Sequence, residues 1–329
     1  MANTILEAVE SVLSQNYDNF EVIVQDNDSN DGTAQKLNFI SDPRIKYFKN
    51  PSNLGTPRNL QSGLKNCTGE ILFLMAADDI LMEGVLLETY QAFKSNPDVG
   101  AVTRPYYWFC EDKYNPIRAT LRMDPLKNTT VKITDDFSKI RCVLDNEVLG
   151  QMSGLACRID CIDINFPLDP WISHGYPFVS VLKKHSIVFL KDYSVAVRIG
   201  TQNLREKNHP LYRRSPIKRW VDLFENIFFE PELQNLKRKC IREMVARNYL
   251  GLIQIKNFGN FRALILEILY LVRYRWMNIF CFRFWFFSLG TILIPSFILL
   301  PLSDFFKEQV LSRTIRSQID LKKPKINSN

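Results

Sequence analysis

The feature that most constrains the fold of this chain is an alternation of helix and strand patterns along its first part. In the first helix pattern Ile5, Val9 and Leu13 share one face at the 3.6-residue period. The helix patterns cover 4–14, a segment that begins near 57, and 83–93, and the strand patterns cover 21–25, 45–48 and 71–75. This alternation predicts an α/β fold in which helices cover both faces of a mostly parallel sheet.

Two clusters of acidic and turn-forming side chains stand directly after predicted strands. Asp26 and Asp28 follow the first strand pattern, and Asp78 and Asp79 follow the third. In sheets of this kind ligands bind outside the carboxyl ends of the strands, so we expect both clusters at one rim. Turn formation and helix capping are the alternative use of such residues, above all for Asp79. The shared rim favours a ligand role for Asp26 and Asp78.

Carboxylates at such a rim suit the binding of a nucleoside diphosphate. One carboxylate can accept the imide N–H of a pyrimidine base, and another can hold a divalent cation such as Mg²⁺ against the diphosphate. The cation then neutralises a leaving nucleoside diphosphate when a glycosidic bond breaks.

Four stretches of the chain, taken in order, match the pattern of a known family. They read Ser-Val-Leu-Ser-Gln-Asn-Tyr at 11–17, Phe-Glu-Val-Ile-Val-Gln-Asp-Asn-Asp-Ser-Asn-Asp-Gly-Thr at 20–33, Asn-Leu-Gly-Thr-Pro-Arg-Asn at 53–59 and Thr-Gly-Glu-Ile-Leu-Phe-Leu-Met-Ala-Ala-Asp-Asp-Ile-Leu at 68–81. In order, spacing and strand context the chain resembles the family 2 glycosyltransferases of bacterial envelope polysaccharide synthesis, whose GT-A domain uses nucleotide-sugar donors. The likeness is clear over residues 3–103 and fainter to 198.

The resemblance implies an activity and a set of site residues. Asp26 looks like the base-recognising acid, and Asp78 looks like the metal-ligating acid of the family's DxD-type motif. The donor-binding positions that it implies are Asp26, Asp28, Gly55, Arg58, Asn59, Ala77 and Asp78. The implied reaction is a metal-assisted, inverting transfer of a sugar from a nucleoside-diphosphate sugar to a glycan or lipid-linked acceptor, with Mg²⁺ or Mn²⁺ as cofactor.

Three departures from the family pattern limit this assignment. The family's opening strand, an apolar run ending in Pro-Thr-Tyr-Asn, is missing, which favours a reading frame that begins further upstream. The metal motif reads Ala-Ala-Asp at 76–78, so its first acid is lost. The stretch 173–178, where the family has its Asp base, contains no acid, and His174 and Asp169 are the candidate bases. A non-catalytic nucleotide-sugar-binding relative is therefore the alternative function.

The charge of the chain is divided between an acidic first part and a basic second part. Residues 1–200 carry 20 Lys and Arg against 25 Asp and Glu, whereas residues 201–329 carry 22 against 10. A basic part of this kind indicates an anionic partner. The seven Cys include no CxxC pair, which argues against a disulfide framework or a zinc ribbon.

The basic part also contains an uncharged apolar run of nineteen residues at 284–302. A spanning helix needs about 20 apolar residues, but Pro295 and Pro301 favour a broken or re-entrant segment. Aromatic residues beside Arg suit a membrane interface. Nucleic-acid binding predicts basic residues interleaved with polar ones and not an uncharged run of nineteen residues, so we do not expect a nucleic-acid partner. We expect the protein on the cytoplasmic face of a membrane, peripheral or anchored by one segment. A hairpin buried against the catalytic domain is the alternative.

The expected parts of the chain are a GT-A domain at 1–198, a basic helical extension at 199–260, and a membrane-associated region with a basic tail at 261–329.

Overall fold

The computed structural model describes residues 2–163, 166–167, 172–200, 210–306 and 319. The first elements are α1 (Ile5–Leu13), β1 (Val22–Asp26), α2 (Thr33–Leu37), β2 (Ile45–Lys49), α3 (Thr56–Asn66), β3 (Ile71–Phe73), β4 (Ile80–Leu81), α4 (Val85–Ser95) and β5 (Val99–Thr103). They are followed by β6 (Tyr106–Phe109), β7 (Arg118–Ala119), β8 (Thr129–Val131), α5 (Phe137–Val143), α6 (Asn146–Leu149), β9 (Ala156–Arg158), α7 (Gly175–Val181), β10 (Ser186–Phe189) and β11 (Val195–Arg198). The remaining helices are α8 (Pro216–Ile227), α9 (Gln234–Arg247), α10 (Gly251–Phe258), α11 (Phe261–Tyr274), α12 (Phe282–Leu293) and α13 (Ser296–Phe305).

The strands form three sheets, and the predicted α/β class is confirmed. The larger sheets have the strand orders β3-β9-β5-β10-β8 and β4-β11-β6-β7. The sheets are mixed and contain fewer parallel pairs than the alternation of elements predicts. β9 runs antiparallel to both of its neighbours, β3 and β5, whereas β10 is parallel to β5 and β11 is parallel to β6.

The third sheet consists of β1 and β2, which are parallel to each other. Among the described residues these two strands pair only with each other in the sheet, so no counterpart of the family's opening strand pairs with β1 there. The residues of β1 are half-buried up to Asp26, whereas β5 is buried throughout. A small apolar cluster that includes Ile5, Val9 and Leu37 covers this pair, and Ala77 packs against it. That contact brings the turn after β3 to the strand that ends at Asp26.

The largest hydrophobic cluster joins the α/β part to the C-terminal helices. It contains Ala101 of β5, Phe178 of α7, Phe224 of α8 and Leu264 of α11, and it extends to Phe284 of α12. The basic extension at 199–260 and the apolar region therefore pack, in their described residues, on the same core as the sheet.

The uncharged run 284–302 is divided between two helices. α12 ends at Leu293, and α13 begins at Ser296 after Pro295, which supplies no N–H for a continuing helix. Across the described ranges of the chain, none of the helices combines the length and the apolar character needed to cross a bilayer.

A buried carboxylate connects two of the C-terminal helices. Glu267 of α11 is 4% exposed, and its Oε1 accepts the N–H of Ile217, in the first turn of α8, at 2.9 Å. Burial raises the pKa of Glu267 to about 7. The folded chain therefore holds a proton on Glu267 over a pH range in which the unfolded chain has released it.

We expect the free energy of unfolding to fall as the pH rises from about 4.5 to about 7, by on the order of 3 kcal/mol from this one group. Glu267→Gln keeps the acceptor oxygen but does not titrate, so its unfolding free energy should depend less on pH. Denaturant unfolding near pH 5 and near pH 8 measures the difference. Glu225→Gln, an exposed change on α8, is the control and should keep the wild-type slope. A Glu267→Gln protein with that same slope would contradict the assignment.

Candidate functional site

Asp26 lies at the carboxyl end of β1 with its side chain held by two hydrogen bonds. Its Oδ1 accepts the Ser29 N–H at 2.9 Å, and its Oδ2 accepts the Tyr47 O–H at 2.5 Å. Burial by itself raises the pKa of Asp26, but these hydrogen bonds outweigh it and leave the pKa below its ordinary value. Asp26 is therefore an ionised acceptor, and its carboxylate has further lone pairs for the N–H of a base.

A network of side-chain amides connects the end of β1 to the start of α3. Asn27 donates to Asn53 Oδ1 at 2.9 Å, and the same oxygen accepts the Gly55 N–H at 3.0 Å. Asn59 donates to the Gln25 carbonyl at 3.1 Å. The structure thus brings the predicted donor residues Gly55 and Asn59 to the end of β1, where Asp26 lies. Several Asn residues stand close together in this part of the sequence, and they were the local sign of this network. The resemblance to the family did not indicate that they bond to one another.

Two other predicted donor residues lie at the edge of this network. Asp28 has a positive φ of 65° and forms an ion pair with Lys49 at 3.2 Å. Arg58 is exposed in the first turn of α3. Ala77 is half-buried against the apolar cluster under β1 and β2, as described above.

Asp79 is a structural centre of the turn that follows β3. Its Oδ2 accepts the Ser153 O–H at 2.6 Å and the side-chain amide of Gln151, and its Oδ1 accepts the Arg198 N–H at 3.0 Å. Burial, with a smaller contribution from the charge of Asp78, raises the pKa of Asp79 to about 7. These contacts fit the expected capping and turn role of Asp79.

Asp78 is buried beside it, and the end of β11 holds its main chain in place. The Arg198 Nε–H donates to the Asp78 carbonyl at 3.1 Å, and the same guanidinium lies over the Phe109 ring at 4.5 Å and pairs with Glu7 of α1. Arg198 therefore connects α1, β11 and the acidic turn. It was not singled out from the sequence, because nothing local marks an Arg at the end of a strand.

The structure places His174 inside the protein at the start of α7. The ring is 5% exposed, and its Nε2 lies 2.8 Å from the Leu149 carbonyl oxygen, to which it donates. Burial lowers the pKa of His174 to about 4, so the ring is neutral at pH 7. Asp169, the other candidate base, lies outside the described residues.

The turn after β3 carries two adjacent carboxylates, Asp78 and Asp79. Within the described residues no group of three or more His, Cys, Asp or Glu could hold a metal ion. The oxygens of Asp79 accept three protein hydrogen bonds, and Asp78 is the position at which the family resemblance implies a metal ligand. Mg²⁺ is often held by one or two carboxylates together with substrate phosphates and water. The residues present therefore fit a cation that the protein shares with a bound diphosphate.

Gly154 allows the segment that carries Ser153 to approach β3 closely. Its φ is +95°, and an added Cβ would lie 3.2 Å from a methyl group of Val195 and 3.3 Å from Cγ of the fully buried Arg104. The Gly154 N–H donates to the Leu74 carbonyl at 3.2 Å. A side chain at this position therefore meets both backbone strain and crowding.

We expect Gly154→Ala to lower the free energy of unfolding by about 1–3 kcal/mol, the usual cost of a left-handed backbone for a residue with a side chain. Denaturant unfolding measures the change. Gly251→Ala is the control, because an added Cβ there meets nothing within 4 Å, and it should not destabilise the protein. Equal stability of the two variants would show that the loop adapts to the side chain.

The mixed α/β fold, with acidic turns at the ends of β1 and β3, is that of the GT-A class of sugar-transferring enzymes. Residues 2–148 match the profile of glycosyl transferase family 2. This part of the chain is a family 2 glycosyltransferase domain, which confirms the resemblance and the predicted enzyme class.

Individual relatives extend this comparison. An uncharacterized glycosyltransferase of Haemophilus influenzae is 25% identical over 254 residues, which is 76% of this chain and 92% of that protein. The Escherichia coli protein WfgD, a UDP-Glc:α-D-GlcNAc-diphosphoundecaprenol β-1,3-glucosyltransferase, is 37% identical over 78 residues, but these cover 24% of this chain and 31% of WfgD. The structure of S. aureus TarS 1–349 in complex with UDP-GlcNAc superposes with a TM-score of 0.60 at 15% identity, covering 83% of this chain and 78% of that one. At this identity the superposition confirms the fold.

Proposed function

We propose that this enzyme transfers a sugar from a nucleoside-diphosphate sugar to a glycan or lipid-linked acceptor, with inversion at the anomeric carbon and with the help of a divalent cation. The observation that carries the proposal is the rim itself. An ionised Asp26 ends β1, and Asp78 lies in the turn after β3. Ala77 in the same turn packs on the apolar cluster that covers β1, which brings the two acids to one edge of the fold.

The donor would bind along this rim with its nucleotide at β1. Asp26 would accept the N–H of the base, and N–H groups in the first turn of α3 would donate to the diphosphate. Asp78 would hold Mg²⁺ or Mn²⁺, which would supply positive charge beside the leaving diphosphate. Asp79 fixes the segment at Ser153 beside this turn.

We assign the base that takes the proton of the acceptor hydroxyl to Asp169 and not to His174. The His174 Nε2 is committed to the Leu149 carbonyl, and its ring is buried on all but 5% of its surface. A base must reach the proton that it removes within about 3 Å or through one water. The position of His174 therefore supports a packing role, whereas Asp169 is the acid that precedes the same helix in sequence.

For the acceptor we propose a glycan carried on a polyprenyl diphosphate, presented at the cytoplasmic face of a membrane. The name of WfgD specifies an acceptor of that kind, and WfgD is similar to this chain over 78 residues. The excess of Lys and Arg in residues 201–329 suits an anionic lipid surface.

The test is a transfer assay with the full-length chain, a set of UDP-, GDP- and dTDP-sugars, and a synthetic polyprenyl-diphosphate sugar. We expect nucleoside diphosphate release that requires added Mg²⁺ or Mn²⁺, and a product whose anomeric configuration by NMR is opposite to that of the donor. Retained configuration would contradict the inverting mechanism. Tight donor binding with no turnover on any acceptor would instead support the non-catalytic alternative.

A further inference from the structure

In helix α12 the large apolar side chains are exposed and the small polar side chains are buried. Its outward face carries Phe282, Trp285, Phe286, Leu289 and Leu293, all of which are exposed, with Phe282 at 80%. Its buried face contains Ser288 and Thr291 together with Phe284, and the Thr291 O–H donates to the Phe287 carbonyl at 2.7 Å. A surface helix of a water-soluble protein shows the reverse pattern.

The neighbouring elements continue this inversion. On α11, Glu267 is buried while Leu266 and Leu269 are exposed, and these two leucines lie on one stripe between Arg262 and Arg273. The turn between α11 and α12 exposes Trp276 and Phe280, whose rings contact each other. α13 has no buried residue and exposes Phe297, Ile298 and Leu302. We call these exposed apolar side chains between 261 and 306 the apolar face.

The charges beside the apolar face are almost all positive. Residues 261–306 contain four arginines, at 262, 273, 275 and 283, and two acids, at 267 and 304. One of the two acids, Glu267, is buried. Exposed arginine beside exposed aromatic rings suits an anionic lipid surface, where the guanidinium groups meet phosphates and the rings enter the apolar layer.

The lengths of the helices determine how such a surface meets a bilayer. α12 has 12 residues, so its length is about 18 Å, well short of the hydrocarbon thickness of about 30 Å. The break at Pro295 separates it from α13. A helix of this length with one apolar side is suited to lie along a membrane and not to cross it.

We propose that the apolar face binds an anionic lipid membrane with α12 lying in the plane of the interface. The inference rests on the membrane location proposed above and adds the residues that make the contact and their depth. The rings and leucines of α12 enter the boundary between headgroups and acyl chains, and Arg262, Arg273 and Arg283 contact lipid phosphates. The catalytic rim, on a different part of the chain, is not required for this binding.

The experiment is flotation of the full-length chain with vesicles of phosphatidylcholine and phosphatidylglycerol in equal parts, and with vesicles of phosphatidylcholine alone. The wild type should float with the mixed vesicles. The triple variant Phe282→Gln, Phe286→Gln, Leu293→Gln should lose about tenfold or more of its partitioning. Three equally exposed apolar residues on other parts of the chain are the matched control. Phe39→Gln, Leu121→Gln, Leu126→Gln should float as the wild type does.

A second variant separates the electrostatic contribution. Arg262→Gln, Arg273→Gln, Arg283→Gln should weaken binding to the mixed vesicles and make the remaining binding less sensitive to salt. Wild-type flotation of the α12 triple variant would overturn the proposal. A wild type that floats with neither vesicle but forms a dimer that the α12 variant dissociates would overturn it as well, in favour of a second copy of this chain.

Donor hydrolysis in solution distinguishes a failure of this inference from a failure of the proposed reaction. Because the rim is not part of the apolar face, the α12 variant should hydrolyse the donor at the wild-type rate while it fails to float. Lost flotation with retained hydrolysis supports the proposal. A wild type that floats but never turns over a donor would contradict the proposed reaction and leave the membrane contact supported.

Discussion

Asp78→Asn is expected to lower the rate of sugar transfer by about 10²–10³-fold, as loss of one stabiliser of developing charge does in other enzymes. The amide is a poor ligand for Mg²⁺ or Mn²⁺, so the charge on the leaving diphosphate is no longer neutralised. The neighbouring Asp79 is committed to the protein, since its oxygens bond to Ser153, Gln151 and Arg198.

The fold should survive this change, because Arg198 contacts the main-chain carbonyl of Asp78, which Asn also has. Initial rates over a range of Mg²⁺ and Mn²⁺ concentrations measure the effect, and thermal unfolding checks the fold. Asp98→Asn is the matched control, since Asp98 directly precedes β5 and so lies at the opposite end of that strand from the rim. A rate near that of the wild type at saturating metal would show that Asp78 does not hold the cation.

Asp169→Asn is expected to lower the turnover number for transfer by about 10²–10⁴-fold, the usual contribution of a general base. Donor binding should change little, because the base acts on the acceptor hydroxyl and not on the nucleotide. The change should therefore appear in kcat for transfer, with the KM for the donor near its wild-type value.

His174→Gln is the paired variant and is expected to keep kcat within about fivefold of the wild type, since a residue that only packs does not enter the chemical step. Gln keeps a donor for the Leu149 carbonyl, which the His174 Nε2 contacts at 2.8 Å. If His174→Gln abolishes transfer while Asp169→Asn remains active, the two assignments are reversed. Thermal unfolding of both variants separates a loss of activity from a loss of fold.

The local elements and the family could be predicted from the sequence. The periodicity of Ile5, Val9 and Leu13 placed α1, and alternating β-rich runs and turn residues placed β1, β2 and β3 within two residues. These signals are local, because they depend on side chains a few residues apart. The same is true of Asp26 and Asp78, whose position after a strand already indicated a rim.

The pairing of the strands and the roles within the rim depended on the tertiary structure. β9 pairs with β3 and β5 across long stretches of chain, so its direction does not follow from local alternation. Asp79 and Asp78 are adjacent in sequence and alike in chemistry. Contacts with Ser153 and Arg198 give Asp79 a structural role, and those residues lie 74 and 119 positions away.

The apolar run at 284–302 is a second case in which the sequence left the structural role of a segment open. By sequence it was compatible with a spanning helix, a re-entrant segment or a buried hairpin, since all three have similar composition. Only the packing of α12 revealed that Ser288 and Thr291 are inside and Phe282 and Phe286 are outside. Hydrophobic composition determines that such a segment leaves water, but which of its faces the protein covers depends on neighbours that are distant in sequence.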